Sequence, residues 1–324
     1  VFAGGIADKF GRKPGLLFAA SIFCVSSLAM ALAPSLPFFL VGRFFAGTGV
    51  GMASMLSPMY IAEVSPPEVR GRMVTINQLT IVLGQVITHF ENFQLRETGP
   101  DAWRWMFGLG MIPSLLFLTG MFFVPESPRW LLKAGREADS RKVLKRIGNS
   151  QFVETTITAI RQTLHGDTKT NFRQVFQKAV LPIMVIGITL AVFQQFCGIN
   201  VVFNYTTNIF KSVGASSTEQ LLQAVYISLV NLVFTLVALS LVDKWGRKSL
   251  MLIGAGGLAI LYVVIGYILF KGSGTGLSIF IFMAIGVYAM SLAPLTWVLI
   301  SEIFTNQIRG VATSVAVISL WLAY

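Results

Sequence analysis

Long apolar runs, each close to the thickness of a bilayer, follow one another along most of this chain. A helix crossing the hydrocarbon core needs roughly 20 apolar residues. Eight segments qualify: 14–33, 36–62, 73–90, 103–124, 179–199, 220–242, 249–270 and 277–300. Such runs predict an all-α membrane protein. Only 12% of the 324 residues are charged, about half the share in a soluble domain. That is too little to coat a water-facing surface, and 54% hydrophobic content excludes a disordered chain. The two cysteines, Cys24 and Cys197, cannot form a disulfide framework.

The net charge of +11 does not point to nucleic acid. Its Lys and Arg residues lie in short runs between apolar stretches, with no basic face interleaved with aromatics. They orient the helices instead. The stretch 125–178 is rich in Lys and Arg, whereas the opposite connections 34–36, 91–102, 211–219 and 271–276 offer only Arg96, Lys211 and Lys271. The positive-inside rule makes 125–178 cytoplasmic, and a multi-pass protein of the plasma (cell inner) membrane is expected. The charge patterns over 140–147 and 155–164 predict short helices there, against the alternative of a solvated linker. The division that follows is a helix bundle over 1–125, a cytoplasmic linker over 126–178 and a second bundle over 179–324.

An internal repeat extends this reading. Asp8-Lys9-Phe10-Gly11-Arg12-Lys13 returns as Asp243-Lys244-Trp245-Gly246-Arg247-Lys248. Glu63 followed by Arg70-Gly71 returns as Glu302 followed by Arg309-Gly310, at nearly the same separation and in the same order. Val1–Ala7 and Val311–Tyr324 are apolar but too short to cross, so both ends read as cut within a helix. Completing both copies by symmetry gives six plus six helices, and the chain is expected to be part of a longer one.

The repeated motifs carry charge at helix ends. Gly11 and Gly246 permit a tight turn, while Asp8 and Asp243 would be costly if left unpaired near the membrane boundary. They are either topological anchors or ion-pair latches, each Asp meeting an Arg of a neighbouring helix or capping a helix end. Arg12, Arg247, Glu63, Arg70, Glu302 and Arg309 complete this candidate latch set. Breakable ion pairs at one rim suit a protein that opens and closes that side.

Taken together, these motifs resemble the sugar porter family of the major facilitator superfamily. The resemblance rests on Gly5 to Lys13, Gly42-Arg43-Phe44, Pro58-Met59-Tyr60-Ile61-Ala62-Glu63 through Arg70-Gly71, and Pro125-Glu126-Ser127-Pro128-Arg129-Trp130-Leu131. It continues in Gln194-Gln195-Phe196-Cys197-Gly198-Ile199-Asn200 and in Trp297 to Glu302. It implies a major facilitator fold that carries a monosaccharide by alternating access. It also implies sugar contacts from Gln78, Gln85, Gln194, Gln195, Asn200 and Trp297.

The residues themselves agree with a polar site. Gln78 and Gln85 are seven apart and share a helix face within about 20°. Asn200, Asn204 and Asn208 share one if their helix is regular. Amides inside apolar spans either glue helices together or bind a polar ligand, and Gly198 can unwind the helix that holds three of them. Two departures from the family pattern bear on the identity of the sugar. Asn204 precedes Tyr205 where adjacent aromatics are usual, and Leu320 stands before Trp321 where an amide is common. Ala293 and Thr305 also depart, replacing a usual Gly and a usual Pro.

Arg43 lies well inside its span and needs a partner, either a carbonyl, a water-filled cavity or an acid from another helix. The resemblance implies an acid in the proton-coupled members, hence symport; facilitative members and non-transporting sensors share the fold. Nothing suggests an enzyme, a metal or a cofactor. His89 and His165 have no cysteine or carboxylate spacing around them, and no Ser–His–acid set can be assembled.

Overall fold

The computed structural model describes residues 5, 7, 9–66, 69–166, 177–178, 180–272, 276–304 and 309–324, without the side chains of 70–72, 74–75, 163–166, 239–244, 247, 301–302 and 309–310. The described residues are helical, with no strand among them. The helices are α1 (Arg12–Ala31), α2 (Leu36–Val64), α3 (Arg70–Leu95), α4 (Ala102–Gly108), α5 (Met111–Phe123), α6 (Pro128–Lys133), α7 (Glu137–Lys145) and α8 (Ser150–Gly166). They continue as α9 (Leu181–Phe196), α10 (Ile199–Ser212), α11 (Ser217–Trp245), α12 (Arg247–Phe270), α13 (Leu277–Met290), α14 (Leu292–Glu302) and α15 (Arg309–Ala323).

Seven crossings among the described residues are long and apolar enough for a membrane: Arg12–Ala31, Leu36–Val64, Ala102–Phe123, Leu181–Ser212, Ser217–Ala238, Lys248–Phe270 and Leu277–Ile300. The eighth expected span, 73–90, falls in α3. That helix is long enough at 26 residues, but Asn77, Gln78, Gln85, His89 and Glu91 interrupt its apolar character. Three of the seven crossings are interrupted, at Leu109–Gly110, at Gly198 and at Ser291.

Two compact units divide the chain: Val1–Asn77 with Leu95–Thr168, and Gln78–Gln94 with Lys169–Tyr324. In the first, α1 packs along α2 and against α4 and α5, around Leu16, Ala19, Met52, Leu56, Tyr60 and Met121. Glycines allow the close approach of α1 and α2. A Cβ on Gly42 would meet the Met30 side chain at 2.9 Å and one on Gly49 would meet Phe23 at 3.1 Å, whereas one on Gly47 or Gly51 would meet nothing within 4 Å among the described residues. Beyond α5, the short helices α6, α7 and α8 form a separate cluster on Leu144, Val153 and Ile157.

In the second unit, α13 lies against α11 and α12, with Ile227, Leu258, Ile281, Ala284 and Ile285 in its interior. A second core joins α9 to α14 and α15 through Met184, Ala191, Ile300, Phe304, Ala312 and Ala316. Burying aliphatic and small side chains between helices is how apolar spans associate, because lipid supplies no hydrophobic drive between them.

Candidate functional site

The first unit gathers charge at the start of α1. Gly11 holds φ 109 and ψ 165, a region essentially restricted to glycine, and this turns the chain so that the first amides of α1 meet Glu126. That carboxylate accepts from the backbone N–H of Arg12 at 3.0 Å, of Lys13 at 3.1 Å and of Ser127 at 2.7 Å. An anion at a helix N-terminus satisfies otherwise unmatched donors and the dipole together. Arg12 then forks onto Glu63, with Nε and Nη2 each 3.1 Å from a carboxylate oxygen. Its Nη1 donates to the Ala7 carbonyl at 3.0 Å. Ser127 donates to Glu63 as well, and the Tyr60 hydroxyl donates to the Pro125 carbonyl at 2.6 Å. The Arg12 and Glu63 side chains are only 8% and 10% exposed.

Of the sequence-predicted latch set, Arg12 and Glu63 therefore meet each other, α1 to α2. Asp8 lies outside the described residues, as do the side chains of Arg70, Asp243, Arg247, Glu302 and Arg309. The backbone of the repeated turn is described in both copies: Gly246 at φ 76 and ψ 150 falls in the same glycine-only region as Gly11. Glu126 and Ser127 belong to a motif that carries the resemblance, but the sequence reading gave them no role. The signal available was an acid directly after an apolar span, in a motif that must turn. Arg43 is exposed, with its guanidinium carbon 5.7 Å from the centre of the Phe107 ring, a cation–π contact.

The linker helices hold a second, exposed ionic set. Glu137 receives Arg141 and Arg161, Asp139 receives Arg136 and Lys142, and Glu154 receives Arg141. Hydrogen bonds from Arg141, then Arg161, pull the Glu137 carboxyl below its ordinary range. Arg136, then Lys142, do this to Asp139, and Arg141 to Glu154.

All six expected substrate contacts fall in the second unit. Gln194 is buried at 6% exposure, and its Nε2 donates to the Tyr288 hydroxyl at 2.6 Å. Its Oε1 is buried with no partner among the described residues. Gln195 accepts from the Asn200 side-chain amide across the break, where Gly198 takes φ 84 and Cys197 donates to the Gln194 carbonyl at 2.9 Å. Gln85 accepts from Asn231 of α11 at 2.9 Å. Gln78 is half-buried, and Trp297 is 37% exposed on α14. The expected common face of Asn200, Asn204 and Asn208 is interrupted, because Tyr205 leaves helical geometry at φ −114 and ψ 18. Asn204 donates to the Tyr324 hydroxyl at 3.0 Å.

Two cavities border this region. One of about 170 Å³ is lined by His89, Asn92, Asn204, Thr206 and Thr207 with Phe203, Leu221 and Ala224. The other, about 250 Å³, lies beside Gln194 among Thr189, Leu190, Phe193, Met251, Ala255 and Leu292. Tyr288 and Asn231 were missed by sequence reading. Neither belongs to a motif, and their partners are 94 and 146 residues away.

Multiple apolar crossings, three of them interrupted, and neutral amides at one break define a polytopic membrane carrier rather than a soluble binding domain. Comparison with known proteins agrees. The family model described as "Sugar (and other) transporter" matches residues 1–324, and the chain belongs to that family. It is 39% identical to the D-xylose-proton symporter of Escherichia coli (strain K12), over 99% of this chain and 70% of that protein. Identity to the arabinose-proton symporter of Bacillus subtilis (strain 168) is 35%, over 98% and 70%. Among solved structures, the major facilitator superfamily proton:xylose symporter XylE bound to 6-bromo-6-deoxy-D-glucose superposes with a TM-score of 0.87. That alignment covers 99% of this chain and 73% of the other at 38% identity. The fold is that of the major facilitator superfamily, and the protein is a multi-pass membrane protein.

Proposed function

We propose that this chain carries a hexose or pentose across the membrane by alternating access, in symport with a proton, and is a carrier rather than an enzyme. The observation that carries the reading is the amide set at the helix break. Gln194, Gln195 and Asn200 lie around Gly198 inside an apolar crossing, where amides without a role are costly. Amides both donate and accept, as sugar hydroxyls require, and an exposed Trp297 offers an aromatic face to the C–H side of a ring.

In this reading Gln78, Gln85, Gln194, Gln195, Asn200 and Trp297 contact the sugar, and Arg43 takes part in proton coupling. Arg12 with Glu63 and Glu126, and the repeated set Asp8, Arg70, Asp243, Arg247, Glu302 and Arg309, hold the cytoplasmic rim closed. Residues 1–125 and 179–324 form two bundles, with 126–178 on the cytoplasmic side. Relatives named for xylose, arabinose and glucose support the substrate class.

Proteoliposomes carrying the protein test this. Uptake of D-xylose, D-glucose or L-arabinose is expected to accelerate when the outside is acidified. Uptake indifferent to the pH gradient makes the protein a facilitator, and saturable binding without uptake makes it a sensor.

A further inference from the structure

Gln85 and Asn200 each have a second polar residue one turn further along their helix, His89 on α3 and Asn204 on α10. Four helical residues rise about 6 Å, and both helices run here toward the connections 91–102 and 211–219, opposite the cytoplasmic linker. This outer tier borders the cavity of about 170 Å³, lined by the polar residues His89, Asn92, Asn204, Thr206 and Thr207. The helix α11 closes it: Asn231 is tied to Gln85 at 2.9 Å, and Ala224, about two turns nearer the outer end, lines the cavity. No Asp, Glu, Lys or Arg lines it among the described residues. Thr206 donates to the Val202 carbonyl and Asn204 to the Tyr324 hydroxyl at 3.0 Å, whereas the side chains of Asn92 and Thr207 make no hydrogen bond among the described residues. Asn204 is also the first departure from the family pattern, standing where adjacent aromatics are usual.

We infer that this cavity is a subsite for the exocyclic hydroxymethyl group of a hexose, and that it makes the carrier prefer hexoses to pentoses. This rests on the proposed reading that the amide set binds the sugar ring, and it narrows the substrate of that site. D-glucose and D-xylose share a ring and its hydroxyls and differ by one hydroxymethyl group, as do D-galactose and L-arabinose. Contacts to the shared ring cannot separate the members of a pair; a polar space beside the ring can. Of the two cavities next to the amides, the one against Gln194 presents almost only carbon, and a hydroxyl buried there would go unmatched. The outer one offers neutral donors and acceptors, which a hydroxyl uses without any charge. It has room for several waters, and a hydroxymethyl group that displaces some of them remakes their hydrogen bonds, whereas a pentose reaches none of them. Sites that hydrogen-bond a substrate hydroxyl discriminate against the analogue lacking it.

The test measures binding of D-glucose, 6-deoxy-D-glucose and D-xylose to the full protein, with D-galactose and L-arabinose as a second pair. Two variants accompany the parent: Asn204→Tyr, which fills the cavity, and Asn92→Leu with Thr207→Val, which keeps its shape and removes hydrogen-bonding groups. In the parent, the hexose should bind about tenfold or more tightly than its matching pentose, and 6-deoxy-D-glucose should fall to the level of D-xylose. In both variants the gap should shrink to under about threefold, through loss of hexose affinity. A parent that binds the hexose and pentose of a pair equally overturns the inference, and so does 6-deoxy-D-glucose binding as tightly as D-glucose. Neither result needs a variant to fold, and both leave the sugar-carrier reading standing. Folded variants that keep the parent's gap place the selectivity elsewhere and also overturn it. If the parent binds no sugar of either pair, the sugar-carrier reading itself fails, and the inference with it.

Discussion

The helix-end cluster of the first unit and the amide cluster of the second both place polar groups at turns of apolar helices, and they are completed differently. Around Arg12, charges and backbone donors are matched internally: two guanidinium nitrogens on Glu63, a third on the Ala7 carbonyl, and three backbone amides on Glu126. Around Gln194, the groups are neutral and some are left over. Oε1 of Gln194 is buried without a partner among the described residues, and so are Nδ1 of His89, Oε1 of Gln223 and the Tyr262 hydroxyl elsewhere in the same unit. The difference follows from magnitude. An unmatched buried charge costs several kcal/mol, so it must be compensated as the chain folds. An unmatched amide oxygen costs about 1–3 kcal/mol, an amount a fold can carry and a ligand hydroxyl can recover.

The largest expected effect tests the first half of that comparison. Glu63→Ala leaves the Arg12 guanidinium, 8% exposed, without its carboxylate, and should cost about 3–5 kcal/mol of stability. Replacing both partners, Arg12→Met with Glu63→Leu, should cost less, because no charge is stranded. Thermal unfolding in detergent reads both. A Glu63→Ala protein as stable as its parent would break the distinction between the clusters.

The two copies of the repeated turn sharpen it next. Gly11→Ala and Gly246→Ala each force a side chain into glycine-only backbone, worth about 1–3 kcal/mol. At Gly11 the new Cβ would also collide with the Glu126 carboxylate, whereas at Gly246 nothing among the described residues lies within 4 Å. Gly11→Ala should therefore be the more damaging, measured as the difference in melting temperature. Equal losses would mean that the Glu126 cap adds nothing beyond the shape of the turn.

Those turns show what can be read from a sequence like this. A glycine directly before a basic pair at the end of an apolar run has few reasons to exist except positive φ, so Gly11 and Gly246 were legible as bends, and Gly198, inside an apolar run among amides, as a place where a helix can unwind. Of the four glycines Gly42, Gly47, Gly49 and Gly51 along α2, only packing decides which two, Gly42 and Gly49, face α1. The partner of Arg12 was not legible either. Glu63 is 51 residues away, and with a nearer acid, Asp8, in the same motif, only the crossing of α1 and α2 selects it. Tyr288 was illegible for a related reason, since a tyrosine in an apolar span looks like core until its hydroxyl is seen to meet Gln194.

A smaller effect separates helix glue from ligand contact inside the second unit. Asn231 donates to Gln85 at 2.9 Å, and interhelical hydrogen bonds of this kind average about 0.6 kcal/mol in membrane proteins. Asn231→Ala should lower stability by about that amount. If Gln85 also contacts sugar, affinity should change as well, since its carbonyl is released. A stability loss with unaltered binding would assign the pair to gluing alone.

The smallest effect belongs to a third arrangement, the exposed ion pairs of α7 and α8. Glu137, Asp139 and Glu154 have ordinary values of 4.5, 3.8 and 4.5, and their Arg and Lys partners hold the folded values lower. The sign follows directly: a depressed carboxyl contributes stability above its unfolded value and loses it as pH falls through the folded one. Amide exchange over residues 137–161, corrected for its intrinsic pH dependence, should therefore speed up below about pH 4. Because these groups are open to water, salt should imitate acid. At 1 M the screening length is about 3 Å, and exposed pairs are weakened where buried ones are not. The amides of Arg12 and Lys13, held by Glu126 beside the buried Arg12–Glu63 pair, should stay protected under the same salt. Exchange that rises equally in both regions would mean that burial does not shield the Arg12 cluster.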